Sequence, residues 1–288
     1  MELCNPSVIR ELLDKNGFRF SKSMGQNFLI EKWVPERIAE AAGLDESTGV
    51  LEIGPGIGTL TQELAKRAGR VCAVELDKAL PPILAESLAE YGNVKIISGD
   101  ILKTDLPALL SEQLPGLKPC VCANLPYNIT TPVLSCLLES GLFERMTVMI
   151  QREVAHRLCA EPGTADYGAF SVYVQYHAIP ECLFDVPPGC FMPAPKVTST
   201  VLRLRQREQP PVRVDDEALF FKVVRASFAQ RRKTLVNGLA AAFPLSKPEL
   251  TALLQSCGMD EKVRGETLSL DGFAALSNCL GVRLTAKT

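Results

Sequence analysis

Residues 50–58 read VLEIGPGIG, and this stretch decides the fold of the chain. A strand-like apolar run is followed by three glycines at alternate positions, and a segment with helical spacing begins directly after them. Such a loop lets the backbone turn sharply from a strand into a helix and lets a ligand approach it closely. The stretch therefore predicts a strand–loop–helix unit that binds a cofactor.

Strands and helices alternate from this unit to about residue 150. The segments that read as strands are 50–53, 70–75, 94–98, 119–123 and 146–150, and the segments between them read as helices. This alternation is typical of βαβ units, which build a parallel sheet covered on both faces. Residues 198–205 alternate like one more strand, which we expect to be added antiparallel. The predicted fold class is α/β, with a Rossmann-like, doubly wound sheet.

A polar segment with two prolines, RQREQPP at 205–211, reads as a domain boundary. Four helices are predicted beyond it, at 217–229, 234–242, 247–257 and 270–280. We therefore predict a cofactor-binding domain at 1–206 and a small all-α domain at 207–288.

Composition and cysteine spacing bound the kind of protein. The 288 residues are 47% hydrophobic and 22% charged, which is ordinary for a globular protein. The first residues, MELCN, lack a basic segment followed by an apolar one, and no apolar run is long enough to cross a bilayer. The ten cysteines include no Cys-x-x-Cys pair, so we expect buried thiols, no metal and a cytoplasmic protein without membrane contact.

The net charge of −2 hides an uneven distribution. Residues 1–195 carry 16 Lys/Arg and 24 Asp/Glu, whereas residues 196–288 carry 15 and 9. The balance is therefore −8 in the larger part and +6 in the last third. A basic surface of this kind favours a polyanionic partner, although a solvated helix face would have the same composition.

The glycine loop distinguishes between two cofactors. The dinucleotide fingerprint is Gly-x-Gly-x-x-Gly, whereas Gly54, Gly56 and Gly58 are spaced Gly-x-Gly-x-Gly with Glu52 just before them. A carboxylate at Glu52 would oppose a pyrophosphate but would suit a ligand with ammonium and sulfonium charges. The loop therefore favours S-adenosylmethionine over NAD.

Two acids at later strand ends support this interpretation. Glu75 ends the second strand of the alternating region, where an acidic residue accepts hydrogen bonds from ribose hydroxyls. Asp100 follows the third strand and could accept from the amino group of adenine. The alternative is that both residues merely cap the helices that follow.

The turn NLPY at 124–127 follows a strand and offers the groups that hold a flat heterocyclic amine. The Asn124 side-chain oxygen and the Leu125 carbonyl could accept both amino hydrogens, Pro126 would fix the turn, and Tyr127 would stack on the ring. Holding donor and acceptor in line would be most of the catalysis. The turn and the loop together predict transfer of a one-carbon unit to a nucleobase nitrogen; a proline turn with a packed tyrosine is the alternative.

Four motifs resemble those of the KsgA family of small-subunit ribosomal RNA adenine dimethyltransferases. They are GQNFL at 25–29, NLPY at 124–127, FMPAPKV at 191–197 and RRKTL at 231–235. The resemblance runs from about residue 19 to about 280 and implies a class I methyltransferase sheet with a small helical domain. It further implies dimethylation of two adjacent adenosines in the 3′-terminal hairpin of 16S rRNA, late in small-subunit assembly. We expect a monomer that acts on the pre-30S subunit.

The resemblance also assigns residues. It implies that Asn27 and Leu29 contact the methionine part of the cofactor beside Gly54, that Asn124 touches both cofactor and target amine, and that Phe191 stacks on the second face of the base. An adenine held in this way has left its helix or loop, at a cost of a few kcal/mol.

Phosphate contacts are expected from four basic residues. These are Arg225, Arg231, Arg232 and Lys233, because counterion release gives affinity that does not depend on sequence. A solvated helix is again the alternative.

Three other functions fit parts of the sequence. The related 23S rRNA adenine methyltransferases share the fold and the Asn-x-Pro-aromatic turn, but Leu125 and the matches at 25–29 and 231–235 favour the small-subunit enzyme. An assembly chaperone would need the RNA binding more than the methylation. A dehydrogenase is disfavoured by Glu52 and by the glycine spacing.

Overall fold

The computed structural model describes residues 1–21, 25–230 and 233–286. Its strands are β1 (Phe28–Leu29), β2 (Thr48–Ile53), β3 (Arg70–Glu75), β4 (Val94–Ser98), β5 (Lys118–Asn124), β6 (Arg145–Gln151), β7 (Ala178–Val186), β8 (Phe191–Met192) and β9 (Ser199–Gln206). Its helices are α1 (Pro6–Lys15), α2 (Trp33–Ala41), α3 (Thr59–Ala65), α4 (Pro81–Ser87), α5 (Leu106–Gln113), α6 (Thr130–Ser140), α7 (Arg152–Leu158), α8 (Ala169–His177), α9 (Glu217–Phe228), α10 (Leu235–Ala242), α11 (Lys247–Ser256) and α12 (Leu270–Thr285).

A seven-stranded sheet with the order β4-β3-β2-β5-β6-β9-β7 carries the larger part of the fold. Strands β2 to β6 pair in parallel with their neighbours, and β9 pairs antiparallel with β6. The predicted α/β class with a Rossmann-like sheet is confirmed, and so is the antiparallel addition. The chain builds outwards from β2 to β4 and then returns to place β5 on the other side of β2, so the strand order reverses between β2 and β5.

Burial explains why the central strands read as apolar runs. All six residues of β2 are buried, and so are the last five of β3. A parallel strand with helices on both faces has no solvent side, so its sequence does not alternate. The core on one face of the sheet joins Val50 and Cys122 to Ile38 of α2 and Leu64 of α3.

The N-terminal helix packs beside the glycine loop. Asn5 caps α1, because its side-chain oxygen accepts from Ser7 N at 2.9 Å, and Pro6 occupies the first helical position. Ile9 of α1 then joins a buried cluster that contains Phe28 and Ile57. Because Ile57 belongs to the glycine loop, this cluster anchors the loop to the core.

A two-stranded ladder that the sequence does not predict joins two of the quoted motifs. Strand β1 pairs antiparallel with β8, with Phe28 opposite Met192 and Leu29 opposite Phe191. The ladder continues through Ile30 N, which donates to the Cys190 carbonyl at 2.9 Å. GQNFL and FMPAPKV are therefore neighbours in space.

The chain divides into two compact units, and one boundary differs from the prediction. The first unit comprises residues 1–155 and 180–206, and the second comprises 156–179 and 207–288. The predicted boundary after residue 206 coincides with one division, but the prediction places residues 156–179 in the first domain. They belong to the second because Tyr167, Val172 and Tyr176 lie in its core, and the Tyr167 hydroxyl donates to the Leu268 carbonyl at 3.0 Å.

Candidate active site

A cleft opens at the carboxyl ends of β2, β3 and β5, at the point where the strand order reverses. Open α/β sheets bind their ligands at such a point. The cleft encloses about 1160 Å³, including space open to solvent. Predicted site residues that line it are Asn27, Leu29, Glu52, Gly54, Gly56, Glu75, Asp100, Asn124, Leu125, Pro126 and Tyr127.

The glycine loop presents bare backbone to this cleft. Gly54 and Gly56 have φ of +67° and +61°, a region that side-chain-bearing residues rarely adopt. A Cβ on Gly56 would also meet the Phe28 ring at 3.1 Å. Gly58 does not line the cleft: it precedes α3 with φ of +94°, and a Cβ there would meet Leu88 and Ser87 at 3.1 Å. Its glycine is therefore explained by the turn and by close packing.

Glu52 is a buried acid on the cleft wall. Only 1% of its surface is exposed, and within the described residues its Oε2 has no hydrogen-bond partner. Burial raises the pKa of Glu52 to about 8; the nearby Thr61 hydroxyl acts in the other direction, and the Glu75 carboxyl adds to the rise. A cation in the cleft would favour the ionised carboxylate and give this oxygen a partner.

Glu75 is held in place by backbone donors. Its Oε1 accepts from Asp77 N at 2.7 Å, and its Oε2 accepts from Gly56 N at 3.4 Å. Burial raises the pKa of the Glu75 carboxyl although these bonds act in the other direction. The end of β3 and the turn of the glycine loop are thus joined through a single side chain.

Asp100 caps a short turn and also lies at the cleft, so its predicted contact with the cofactor stays a prediction. Its Oδ1 accepts from Leu102 N at 3.0 Å and so caps the short 3-10 turn at 101–103, while the residue also lines the cleft. Capping and ligand binding are compatible, because one carboxylate can accept several hydrogen bonds.

Residues 25–29 form a further wall of the cleft. Asn27 donates from Nδ2 to the Gly25 carbonyl at 3.0 Å and accepts at its own carbonyl from Asn124 Nδ2 at 3.4 Å. Gln26 donates to Asp77 Oδ2 at 2.6 Å. Gln26 lies inside GQNFL and lines the cleft, but the sequence did not single it out; Asp77, which holds it, follows Glu75 by two positions and does not itself line the cleft.

The turn at 124–127 is fixed by its backbone. Leu125 is buried and its N–H donates to the Met149 carbonyl at 3.1 Å. The Pro126 carbonyl accepts from Ile129 N and from the Thr130 hydroxyl, both at 3.2 Å. These bonds leave the half-buried Asn124 side chain at the cleft, beside the glycine loop.

Phe191 does not line the cleft, although it lies opposite Leu29, which does. It is 3% exposed and belongs to the core cluster that includes Leu29. Pairing between β1 and β8 places the two residues opposite each other and buries the ring. The stacking role implied by the resemblance stays a prediction, which requires this ring to become accessible.

The basic residues are described only in part. Arg225 is exposed in the last turn of α9, and Lys233 is exposed with its N–H bonded to the Gln230 carbonyl at 2.9 Å. Arg231 and Arg232 lie outside the described residues. Among the residues that the structure describes, no group of three or more His, Cys, Asp or Glu could hold a metal, and no helix is long and apolar enough to cross a membrane.

The residues present fit S-adenosylmethionine. The unpartnered, buried Oε2 of Glu52 suits a cationic ligand, and the glycine backbone at Gly54 and Gly56 leaves room that a Cβ would narrow. A pyrophosphate beside Glu52 would disfavour the ionised carboxylate and raise its pKa further, whereas a cation favours the ionised form and pairs with it. The cleft therefore fits the cofactor that the glycine spacing predicted.

A doubly wound sheet with this loop, and with acids at the ends of β3 and β4, defines a class I methyltransferase that depends on S-adenosylmethionine. The model of the family described as ribosomal RNA adenine dimethylase matches residues 17–280. The chain belongs to that family.

Curated relatives match almost from end to end. The chain is 49% identical over 284 residues to ribosomal RNA small subunit methyltransferase A of Geobacillus sp. (strain WCH70), covering 97% of this chain and 98% of the relative. It is 50% identical over 284 residues to the protein of the same name in Bacillus cereus (strain AH187), covering 97% of each.

Two solved structures share most of the fold. A dimethyladenosine transferase from Plasmodium falciparum superimposes with a TM-score of 0.72 at 25% identity, covering 86% of this chain and 95% of that one. The 23S rRNA methyltransferase ErmE superimposes with a TM-score of 0.66 at 28% identity, covering 88% of this chain and 100% of that one.

Proposed function

We propose that this chain dimethylates N6 of two adjacent adenosines in the 3′-terminal hairpin loop of 16S rRNA, with S-adenosylmethionine as methyl donor. It would act as a monomer on the pre-30S subunit in the cytoplasm. One observation carries the proposal: the 124–127 turn, the glycine loop and Glu52 all line the same cleft. Identity near one half to small-subunit methyltransferases, against 28% to the 23S enzyme, supports the choice of substrate.

The 124–127 turn would bind the target adenine. The Asn124 side-chain oxygen and the Leu125 carbonyl would accept the two hydrogens of the adenine amine, which draws its lone pair out of conjugation with the ring. The Pro126 carbonyl already serves Ile129 and Thr130, so it does not compete for the amine. Tyr127 would cover one face of the base. These groups act by position, and none of them is required to take a proton.

The opposite side of the cleft holds the donor. Glu52 would pair with its positive charge, Glu75 would accept from the ribose and Asp100 from the adenine amine. When bound, S-adenosylmethionine supplies an electrophilic methyl group on a sulfonium. Asn27 and Leu29, in the wall that bonds to Asn124, would orient the methionine part.

Phosphate contacts would come from the second unit. Arg225 and Lys233 are exposed cations, and with Arg231 and Arg232 they would give affinity for the rRNA backbone. The contribution of these residues to rRNA affinity can be measured from the salt dependence of binding. Each phosphate contact contributes close to one unit to the slope of log K against log salt concentration.

The substrate is tested with subunits that lack the modification. Purified protein and labelled S-adenosylmethionine are added separately to 30S and 50S subunits from cells lacking both this gene and any 23S adenine methyltransferase. We expect label in 16S rRNA only, N6,N6-dimethyladenosine by mass spectrometry of the nucleosides, and primer-extension stops at two adjacent adenosines of the 3′ hairpin. Label in 23S rRNA, with none in 16S rRNA, would overturn the proposal in favour of the 23S reaction.

A further inference from the structure

The ring of Tyr127 is tethered at its far end. Its hydroxyl lies 2.7 Å from Ser199 Oγ, a hydrogen bond between residues 72 positions apart in the chain. Tyr127 itself is half-buried at the cleft, whereas Ser199 is 0% exposed. The bond therefore links a ring on the cleft wall to a point inside the fold.

Ser199 is itself held on a rigid element. It is the first residue of β9 and pairs with Gln151, the last residue of β6. The residue before it accepts at its carbonyl from Arg152 N at 3.0 Å, and the residue after it, Thr200, donates its hydroxyl to Asp185. Because the residues on both sides of Ser199 are hydrogen-bonded, one through its backbone and one through its side chain, the Ser199 hydroxyl is a fixed anchor.

Burial of this hydroxyl is costly unless it is bonded. A small apolar residue at position 199, in the antiparallel pair of β9 and β6, would not carry that cost. Tyr127 gives the Ser199 hydroxyl its hydrogen-bond partner. The same bond restricts rotation of the tyrosine about its side-chain bonds. Burial also raises the pKa of Tyr127, so the phenol stays neutral and serves as an anchor point for the ring.

We propose that Ser199 is a positioning residue for the methyl transfer, which fixes the plane of Tyr127 so that its face is ready to stack on the target base. The inference rests on the proposed function, because it needs a base at the 124–127 turn. Neither the composition nor the motifs of the sequence indicated this pair.

Two substitutions remove the same bond from opposite ends. Ser199→Ala deletes the anchor and Tyr127→Phe deletes the hydroxyl while keeping the ring. Each should lower kcat/KM for the rRNA substrate by about five- to tenfold, the effect of one hydrogen bond of ordinary strength. The dissociation constant for S-adenosylmethionine should stay within about twofold, because neither group was assigned to the cofactor.

The double variant separates positioning from a general loss of structure. If the two groups act only through their mutual bond, the double variant should be no worse than either single one. Ser277→Ala serves as a matched control, since Ser277 is another buried serine, bonded within α12 to the Ala274 carbonyl at 3.0 Å. It should leave kcat/KM unchanged.

Several results would overturn the inference. They are unchanged kinetics in both single variants, losses that add in the double variant, or an equal fall in affinity for the cofactor. If wild-type protein fails to methylate 16S rRNA, the proposed function fails and the inference with it. If wild-type protein is active and the variants match it, the role of Ser199 alone is wrong.

Discussion

Replacement of Glu52 by glutamine should stabilise the cofactor-free protein and weaken cofactor binding. The pKa of Glu52 stands near 8, against 4.5 for a free side chain. Between these values the folded protein holds a proton that the unfolded chain has lost, so stability falls as pH rises from 4.5 to 8 and is constant above 8. The difference is about 3.5 pH units at ~1.4 kcal/mol each, which sets an upper bound of about 5 kcal/mol.

Thermal unfolding at pH 5 and at pH 9 measures this cost. At pH 9 the Glu52→Gln variant should be more stable than wild type by roughly 2–5 kcal/mol, or about 5–15 °C in Tm for a unit of this size. At pH 5 the folded protein holds this proton and the unfolded chain has lost only part of it, so the difference should fall to about 1 kcal/mol or less. Glu40→Gln, at an exposed position, is the control and should show no such dependence. A gain that is equal at pH 5 and pH 9 would refute the electrostatic reasoning.

The same residue makes cofactor binding release a proton. At pH 7 about nine-tenths of the wild-type Glu52 side chains are protonated, and a cationic ligand selects the ionised form. Titration calorimetry in buffers of different ionisation enthalpy should show close to one proton released by wild type and none from Glu52 in the glutamine variant. Equal release by the two proteins would show that Glu52 does not face the cationic part of the ligand.

Three further substitutions test other parts of the structure. Asn124→Ala should lower kcat at least a hundredfold while cofactor affinity changes by less than about fivefold, since its main predicted contact is to the reacting amine; equal losses measured by kinetics and calorimetry would argue against that role. Gln26→Ala loses the 2.6 Å bond to Asp77 and should speed dissociation of S-adenosylmethionine about tenfold in stopped-flow displacement; an unchanged rate would mean that the bond does not shape the cleft. Gly238→Ala places a Cβ 2.5 Å from the Ala226 carbonyl oxygen and should destabilise the second unit by about 1–3 kcal/mol in a thermal melt. An unchanged melting temperature would mean that α9 and α10 can move apart without cost.

The parallel sheet could be predicted from the sequence because each strand is marked locally. Burial on both faces makes β2 and β3 continuous apolar runs, and the glycines at 54–58 mark the turn into α3. Capping residues such as Asn5 mark helix starts in the same local way. Each of these signals depends only on residues a few positions apart, so a single sequence is enough to detect it.

Contacts between distant segments could not be predicted in this way. The two-residue strands β1 and β8 are too short to show a period, and their pairing joins segments about 160 residues apart. The helix at 169–177 is apolar enough for either unit, and only the three-dimensional packing of Tyr167 and Tyr176 assigns it.

The candidate site likewise contains residues that local motifs predict and residues that only long-range contacts place. Glu52, Glu75 and Asn124 stand at strand ends beside recognisable motifs, and the structure brings them to one cleft. Phe191 belongs to an equally recognisable motif, yet its ring is buried by a ladder that no local signal announces. Ser199 carries no motif of its own, and its bond to Tyr127 depends on the register of β9 against β6.

The two-segment composition of the second unit limits how it can be exchanged between proteins. Residues 156–179 contribute Tyr167, Val172 and Tyr176 to its core. A chimaera spliced only near residue 206 would remove their helical partners and leave these aromatic and aliphatic side chains facing water. Any replacement of the helical part, in the laboratory or in evolution, therefore needs three coordinated joints, near residues 155, 180 and 206.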